Sequence, residues 1–410
     1  MCGGMRKKET QVRLSATFRL SSGRRKFRRT AFLASILQEI VCRNGNFSKK
    51  EIVVKRIGLL LGLLCLCGEA FRADACTGIA LTSADGSYVQ SRTIEWARGV
   101  LESEYVIVPR GERLVSFTPT GTDGMAFTAK YGVVGLAVVH KEFIAEGINE
   151  AGLSAGLFFF PRFGGYPPYD PAEKSRTLAD LQVPAWILSQ FATIDEVKAA
   201  VPAVRIVGLE ENSVVHWRIG DASGRQVVLE IVDGVPHFYE NEVGVLTNAP
   251  GFEWQLTNLD NYVNLYPGTA PGRTLGGVVL RPTGGNSGFL GIPGDATPPS
   301  RFVRAAFYRA TAPQRATAFD TVQQCFHLLN NFDVPIGIEC PEGSAPDIPS
   351  TTQWTSAIDL THRRVYYKTA YNNTIRCIDL SEIDFGKVKY QSHPLDAERR
   401  QPVERIVIGN

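Results

Sequence analysis

The chain has 410 residues, of which 44% are hydrophobic, 10% aromatic and 21% charged. This mix excludes a disordered or collagen-like chain, and the length allows one large domain or two ordinary ones. Residues 1–75 hold 16 basic and 5 acidic residues, and of the totals of 44 and 41 this leaves 28 basic and 36 acidic residues in 76–410. Because the body is mildly acidic, we expect no nucleic-acid partner for it.

An export signal precedes the body. Two basic residues, Lys55 and Arg56, come before an uncharged stretch over 57–67 that is rich in Leu and Gly, and an A-x-A site ends at Ala75. A positive region, a short apolar region and such a site define a secretory signal. The apolar run is too short to span a bilayer, which takes about 20 residues. We therefore predict a signal peptide over 53–75 that is removed on export to a bacterial periplasm or to the medium.

Residues 1–52 carry no amphipathic or core pattern. Our hypothesis is that translation begins near Val53 and that 1–52 is a mis-annotated or disordered extension, and a real basic extension is the alternative. A lipoprotein signal is a further alternative, because a cysteine follows the cut. Ala73 and Asp74 stand where such a signal has Leu and a small residue, which argues against it.

Cleavage after Ala75 makes Cys76 the first residue of the mature chain. The thiolate is the nucleophilic form of cysteine, and an α-amino group on the same residue can accept the thiol proton. Such a pairing is the self-contained nucleophile and base of N-terminal hydrolases. A structural alternative stays open, because four cysteines in an exported chain can form two disulfides. The body contains Cys76, Cys325, Cys340 and Cys377. Cys325 fits a buried helical position, and Cys340 can pair with Cys377 across a predicted hairpin.

Alternation of apolar and polar residues predicts antiparallel strands in the first half of the body. Glycine and proline breaks separate five of them, at 77–82, 88–93, 105–109, 131–139 and 153–160. Helical spacing follows over 178–201, where Thr193 precedes the start of a second helix. Strands return at 214–220, 226–232 and 243–246.

The second half predicts two more helices and a final sheet. One helix begins after Ser300, and the other spans 319–329. The strands lie at 353–360, 365–369 and 374–378. Strands and helices in separate groups favour one α+β domain over 76–410, with helices layered on antiparallel sheets. Segment 267–297, rich in Ser, Thr, Pro and Gly, is predicted to be a long surface loop at the mouth of a site. The six histidines show no metal-ligand spacing, so we expect no metal or cofactor.

Four blocks of the body resemble one known family. They read CTG and RTIE within 76–95, GINEAGL over 147–153, GVLTNAP and NLDNY within 244–262, and GDATPPSRF over 294–302. In this order they are similar to blocks of the choloylglycine hydrolases, the family of conjugated bile salt hydrolases and penicillin V acylases. The resemblance implies an N-terminal-nucleophile hydrolase with a four-layer αββα sandwich, two antiparallel sheets flanked by helices.

Carried over position by position, the resemblance implies roles for five side chains. Cys76 is the nucleophile and its amine the proton shuttle. Arg92 lies against the thiol, where a fixed guanidinium favours the thiolate. Glu95 takes the place of the aspartate that helps to hold the amino terminus in most members, which is a departure from the family pattern. Arg301 gives electrostatic support near Cys76, and Asn248 donates its side-chain amide to the oxyanion.

The resemblance also implies which residues contact the substrate. The second oxyanion donor is the backbone N–H of Phe159, where members often have Asn or Tyr. Phe158, Phe160, Tyr166 and Tyr169 are expected to line an apolar acyl pocket.

The expected substrate is a small amide with a large apolar acyl group, first of all a glycine or taurine conjugate of a bile acid. Penicillin V acylase and acyl-homoserine lactone acylase activities are the alternatives. A non-enzymatic alternative is an exported binding protein with an inactive site. Members of the family are commonly homotetramers, so the resemblance implies a homotetramer here.

Overall fold

The computed structural model describes residues 76–96, 101–210, 214–335, 338 and 351–409. The extension predicted over 1–52, the signal peptide over 53–75 and Cys340 lie outside these residues, so these three features stay predictions. Among the helices of the described residues, none has both the length and the apolar character that a membrane crossing requires.

The secondary structure is dominated by strands. In chain order they are β1 (Cys76–Thr82), β2 (Tyr88–Trp96), β3 (Ser103–Val108), β4 (Arg113–Val115), β5 (Ala126–Thr128), β6 (Val133–Val138), β7 (Ile144–Asn149), β8 (Ser154–Phe159), β9 (Thr177–Ala179), β10 (Arg205–Val207), β11 (Val215–Gly220), β12 (Gln226–Val232), β13 (Val235–Glu240), β14 (Val245–Leu246), β15 (Arg273–Leu275), β16 (Val278–Leu280), β17 (Thr351–Asp359), β18 (Arg364–Thr369), β19 (Asn372–Asp379) and β20 (Gln391–Pro394). The α-helices are α1 (Val183–Gln190), α2 (Ile194–Ala200), α3 (Phe252–Leu259), α4 (Pro298–Thr311) and α5 (Ala318–Leu329).

Two large sheets hold fourteen of these strands. One sheet has six strands in the order β14-β1-β2-β17-β18-β19, and the other has eight in the order β13-β12-β11-β8-β7-β6-β3-β20. Every neighbouring pair in both sheets is antiparallel. The last strand, β20, adds the end of the chain to the edge of the eight-stranded sheet.

The two sheets face each other. A Cβ atom on Gly78 of β1 would lie 2.7 Å from Arg218 Nη1 of β11 and 2.9 Å from the Phe158 ring of β8, so only a residue without a side chain fits there. Side chains alternate along a strand, and the opposite face of β2 packs through Val89 against Cys325 of α5. The six-stranded sheet therefore lies between its partner sheet and the helices.

The outer layers are helical on both sides. Helices α4 and α5 pack on the six-stranded sheet, and α1 packs on β7 and β8 of the other sheet. Asn149 fastens α1 to its sheet, because its Nδ2 donates to the carbonyl of Leu188 at 2.8 Å. The αββα sandwich predicted from the family resemblance is confirmed.

Most predicted elements are present with shifted ends, and one prediction needs correction. The helical pattern over 178–201 forms two helices as predicted, and Thr193 caps the second by accepting the N–H of Glu196 at 3.2 Å. The segment 267–297 is not a plain loop, because β15 and β16 form an exposed hairpin within it. Among the elements that were not predicted are β7, α3, β13 and several short strands.

Candidate active site

Cys76 begins β1 and is 3% exposed. Its main-chain nitrogen donates a hydrogen bond to Asn248 Oδ1 at 2.8 Å, and its carbonyl oxygen accepts one from Arg301 Nη1 at 2.5 Å. Arg301 Nη2 donates to the same Asn248 oxygen at 2.7 Å. Three of the residues predicted for the site therefore form one closed set of hydrogen bonds around the start of β1.

The fold brings these three residues together through neighbours of β1. Asn248 follows β14, which pairs with β1, and Arg301 lies in the first turn of α4, which packs on β1. The Arg301 guanidinium also donates to Thr77 Oγ1 at 2.9 Å and to the Ala296 carbonyl at 2.8 Å. Because these contacts fix the guanidinium, it holds the Asn248 amide in one orientation, with the oxygen toward Cys76.

Arg92 lies on the face of β2 that Cys76 shares. Gly78 is the partner of Arg92 in the β1–β2 register and Ile94 is the partner of Cys76, so Arg92 and Cys76 are diagonal neighbours. A diagonal separation of roughly 7–8 Å is within reach of a long side chain. Arg92 is fully buried, and its Nη2 has no hydrogen-bond partner among the described residues. One donor group of this arginine is therefore left for a ligand or for the thiol.

The Nη1 nitrogen of Arg92 lies where β7 and β8 separate, a place called the fork below. The register of these strands ends at the pair Glu146–Gly156, and continuing it would pair Ala145 with Leu157. Arg92 Nη1 donates instead to both carbonyls, at 3.1 Å to Ala145. The arginine thus replaces the next main-chain pairing between the two strands, and beyond Gly156 strand β8 is no longer paired with β7.

The fork leaves Phe159 with one free side. Successive residues of an antiparallel strand direct their N–H and C=O groups to opposite neighbours. The Phe160 N–H donates to the Val214 carbonyl next to β11, so Phe159 is directed away from β11, toward the side that β7 has left. The Phe159 carbonyl accepts the Asn248 amide Nδ2 at 2.9 Å. The Phe159 N–H therefore points to the same side of β8 as the Asn248 amide.

A buried charge cluster supports this fork. Arg218 Nη2 contacts both carboxylate oxygens of Glu146 at 3.1 and 3.2 Å, and Arg92 Nη1 lies 3.8 Å from the same carboxylate. All three side chains are at most 1% exposed. Two guanidinium groups thus share one carboxylate, and the cluster carries one uncompensated positive charge. In a medium of low dielectric, such a charge favours an anion nearby.

Glu95 lies on the opposite face of β2 and is 1% exposed. Its Oε1 accepts the Thr352 hydroxyl at 2.8 Å, and its Oε2 has no hydrogen-bond partner among the described residues. Burial raises the pKa of this carboxyl to about 8, against the lowering effect of the nearby Arg301 charge. The group is therefore a protonated acid near neutral pH unless a further cation comes beside it.

The two phenylalanines proposed for an acyl pocket are fully buried and contact protein groups. The Phe158 ring lies 4.0 Å from the guanidinium carbon of Arg92, which is a cation–π distance. The Phe160 ring stacks on His216 at 4.4 Å with an angle of 6°. These contacts give both rings a packing role beside the fork.

The two tyrosines proposed for the same pocket differ from each other. Tyr166 is tied to β11, since its hydroxyl accepts the Val215 N–H and donates to the Val215 carbonyl, both at 2.8 Å. Tyr169 is half-buried, and its hydroxyl lies 3.2 Å from that of Thr120. The contacts of the described residues do not bring Tyr169 to Cys76.

The remaining cysteines and the possible metal ligands lie apart from this site. Cys325 is buried, and burial raises the pKa of its thiol to about 12. Cys377 is exposed, and its predicted partner Cys340 lies outside the described residues. Within the described part of the chain, no group of three or more His, Cys, Asp or Glu side chains converges as metal ligands would.

Sequence reasoning missed the polar residues behind the site, which are Glu146, Arg218, His216 and Glu230. All four are at most 2% exposed and lie within strands of the eight-stranded sheet. A charged residue inside an otherwise apolar strand is a signal, because such a group is rarely buried without a partner. The sequence alone does not say which partner it meets.

Comparison with known proteins gives one family. The sequence profile described as linear amide C–N hydrolases, choloylglycine hydrolase family, matches residues 76–393. Bile salt hydrolase/transferase of Clostridium perfringens (strain 13 / Type A) is 32% identical over 324 residues, which cover 77% of this chain and 95% of that protein. The enzyme of the same name from Bifidobacterium longum subsp. longum is 29% identical over 315 residues, which cover 75% and 96%.

Two solved structures with a similar fold point to the same family. A cysteine-to-alanine mutant of conjugated bile acid hydrolase from Clostridium perfringens has a TM-score of 0.71 and 28% identity, and the match covers 81% of this chain and all of that one. Penicillin V acylase from Agrobacterium tumefaciens has a TM-score of 0.62 and 25% identity, with 76% and 88% covered.

Proposed function

The chain belongs to the choloylglycine hydrolase family of linear amide C–N hydrolases, and from this premise we propose that Cys76, freed by export processing, is its nucleophile and that it deconjugates bile salts. The observation that supports this assignment is the closed set of Cys76, Asn248 and Arg301, with Arg92 on the same sheet face as Cys76. The family assignment makes the protein an enzyme that hydrolyses a non-peptide amide.

In the proposed reaction the free α-amine of Cys76 takes the thiol proton, and the thiolate attacks the amide carbonyl carbon. The oxygen becomes an oxyanion that accepts the second N–H of the Asn248 amide and the N–H of Phe159. The ammonium then gives its proton to the leaving amine as the C–N bond breaks, which leaves a thioester. Water, deprotonated by the amine, attacks the thioester carbonyl; the C–S bond breaks, the carboxylic acid leaves, and the ammonium returns its proton to the sulfur of Cys76. Losing one oxyanion donor in such sites costs about 10²–10³ in kcat.

The charges around the site support this proposal. Arg92 and Arg218 face one carboxylate, that of Glu146, so this cluster of described residues has a net positive charge that would stabilise a thiolate. Arg92 Nη2 and Arg218 Nε are the two donors of that cluster without a hydrogen-bond partner among the described residues. Processing also suits Glu95, which follows Ile94, the strand partner of Cys76, because an α-ammonium close to this carboxyl group would stabilise its charged form.

The names of the relatives support the substrate class. Several are called bile salt hydrolases or conjugated bile acid hydrolases, and we propose a glycine- or taurine-conjugated bile acid as the first substrate. Penicillin V is the second candidate, because a penicillin V acylase shares the fold at 25% identity. In both cases the acyl group is large and apolar.

Export and assembly are part of the proposal. The signal pattern over 53–75 supports a periplasmic or secreted enzyme, since cleavage after Ala75 creates the required amino terminus. An exposed apolar hairpin, β15–β16, supports assembly of a homotetramer. Its residues Leu275 and Val278 are 63% and 61% exposed, which is unusual for large apolar side chains unless another surface covers them.

The test compares initial rates on glycocholate, taurocholate and penicillin V, using enzyme whose amino terminus at Cys76 has been verified by mass spectrometry. We expect bile salt turnover in the processed enzyme and its loss in Cys76→Ser, with Cys377→Ser as the matched control that keeps full activity. Iodoacetamide should inactivate the parent at pH 7 and leave Cys325 unmodified. A kcat/KM for penicillin V ten times that for both bile salts would overturn the substrate assignment. Unchanged activity in Cys76→Ser would overturn the nucleophile, and no turnover of any amide would favour a binding protein.

A further inference from the structure

A buried histidine–glutamate pair lies behind the segment that carries Asn248. His216 of β11 and Glu230 of β12 are 0% and 2% exposed. His216 Nδ1 lies 3.0 Å from Glu230 Oε1, and its Nε2 lies 3.0 Å from the carbonyl oxygen of Thr247. Neither residue belongs to the set around Cys76, and the reaction proposed above assigns them no role.

The partners of His216 fix the protons. A carbonyl oxygen only accepts, so Nε2 carries a hydrogen that is donated to Thr247. A second proton must lie between Nδ1 and the carboxyl group of Glu230. Oε1 of Glu230 also accepts the N–H of Phe252 at 2.9 Å. The two side chains therefore share a proton, and each of these contacts joins a donor to an acceptor.

The pair holds the two ends of one short segment. Thr247 O and Phe252 N bound the stretch 247–252, which leads from β14 into α3, and Asn248 is its second residue. His216 fixes the first end and Glu230 the second. The Phe160 ring, stacked at 4.4 Å, keeps the imidazole in its plane. The backbone of Asn248 is thus attached to β11 and β12 rather than left to the loop itself.

We propose that His216 and Glu230 are positioning residues for the Asn248 amide. The proposal rests on the proposed function, because it takes Asn248 as the oxyanion donor. The pair sets where the backbone of Asn248 lies, and Arg301 and the Phe159 carbonyl set how its amide is turned. Since an oxyanion exists only after attack, a displaced amide lowers kcat and leaves KM nearly unchanged.

The variants separate positioning from simple packing. His216→Phe keeps a ring against Phe160 but removes both hydrogen bonds, and we expect kcat to fall at least tenfold with KM within twofold. Glu230→Gln keeps an oxygen that can accept the Phe252 N–H, so it should lose less kcat than Glu230→Leu, which removes both contacts. Trp217→Phe changes a buried residue next to His216 that touches neither end of the segment, and it should lower thermal stability without lowering kcat.

A double-mutant cycle with Asn248→Ala tests whether His216 and Glu230 act through Asn248. If the pair acts through Asn248, His216→Phe should cost far less in the Asn248→Ala background than in the parent. An equal loss in both backgrounds overturns the positioning role. Full activity of Asn248→Ala alone would instead overturn the oxyanion assignment of the proposed function. If His216→Phe does not fold, the same cycle is run with Glu230→Leu, and Glu230→Gln serves as its conservative rescue.

Discussion

Arg218 of β11 connects the two sheets while it pairs with Glu146. Its Nη2 contacts both carboxylate oxygens, at 3.1 and 3.2 Å, and its Nη1 donates to the carbonyls of Ile79 at 3.3 Å and Ser91 at 3.0 Å in the opposite sheet. One side chain therefore links β11 with β7 in its own sheet and with β1 and β2 in the other. The same carboxylate faces Arg92, so this linkage also supports the guanidinium beside Cys76.

Removing the shared carboxylate should be costly. Glu146→Gln leaves two buried guanidinium groups without a counter-charge, and breaking a buried ionic group in this way costs about 3–5 kcal/mol of unfolding free energy. Urea denaturation monitored by circular dichroism measures the loss. Glu102→Gln is the control, because Glu102 pairs with Arg399 on the surface at 3.4 Å, and such pairs contribute about 0–1 kcal/mol. Equal losses for the two variants would contradict the structural role of Glu146.

The close approach of the two sheets predicts the effect of a single methyl group. In Gly78→Ala the new Cβ would meet Arg218 Nη1 at 2.7 Å and the Phe158 ring at 2.9 Å. Overpacking of this kind costs roughly 1–3 kcal/mol, so the melting temperature should fall by several degrees. In Gly285→Ala nothing lies within 4 Å of the added atom, and no fall is expected. A Gly78→Ala variant as stable as the parent would show that the sheets lie further apart.

The pKa of Glu95 predicts a pH dependence of stability. Burial raises it to about 8 from an ordinary value of 4.5, so between these values the folded chain holds a proton that the unfolded chain has released. Stability therefore falls as pH rises from about 4.5 to about 8. We expect this fall in the unprocessed chain and its absence in Glu95→Gln.

Urea titrations at pH 5, 6, 7 and 8 measure this dependence, with the exposed Glu398→Gln as control. In processed protein the fall should be smaller, because the α-ammonium of Cys76 would lower the pKa of Glu95. Identical pH profiles for Glu95→Gln and the parent would contradict this environment for the carboxyl group.

The exposed hairpin predicts a change of assembly state. Val278→Asp places a charge on β16 at a surface proposed to be covered by another copy, and burying an unpaired charge is strongly unfavourable. Light scattering coupled to gel filtration should show a smaller species than the parent. Val235→Asp is the control, because that valine is also exposed but lies on β13. An unchanged mass for Val278→Asp would argue against the hairpin as the contact surface.

The residues along β1 and β2 were predictable because strand alternation and the spacing from Cys76 to Arg92 both appear in a short stretch of sequence. Strand β7 was not, since Glu146 lies in the middle of an apolar segment and looks like a surface residue until Arg218 is seen beside it. Glu146 and Arg218 are 72 positions apart, and only the strand order brings them together. The run Phe158–Phe160 shows a second limit, because a hydrophobic run gives no sign of whether it faces substrate, a guanidinium or an imidazole.

The separation of β7 from β8 after Gly156 has a consequence for how the chain folds. The carbonyl of Leu157 receives a guanidinium from the opposite sheet, and the carbonyl of Phe159 receives an amide carried by a loop that follows that sheet. Neither hydrogen bond can form before the six-stranded and eight-stranded sheets have packed against each other. A half-folded chain therefore lacks the proposed oxyanion hole, and the Cys76 thiol acquires it only once the two sheets have packed together.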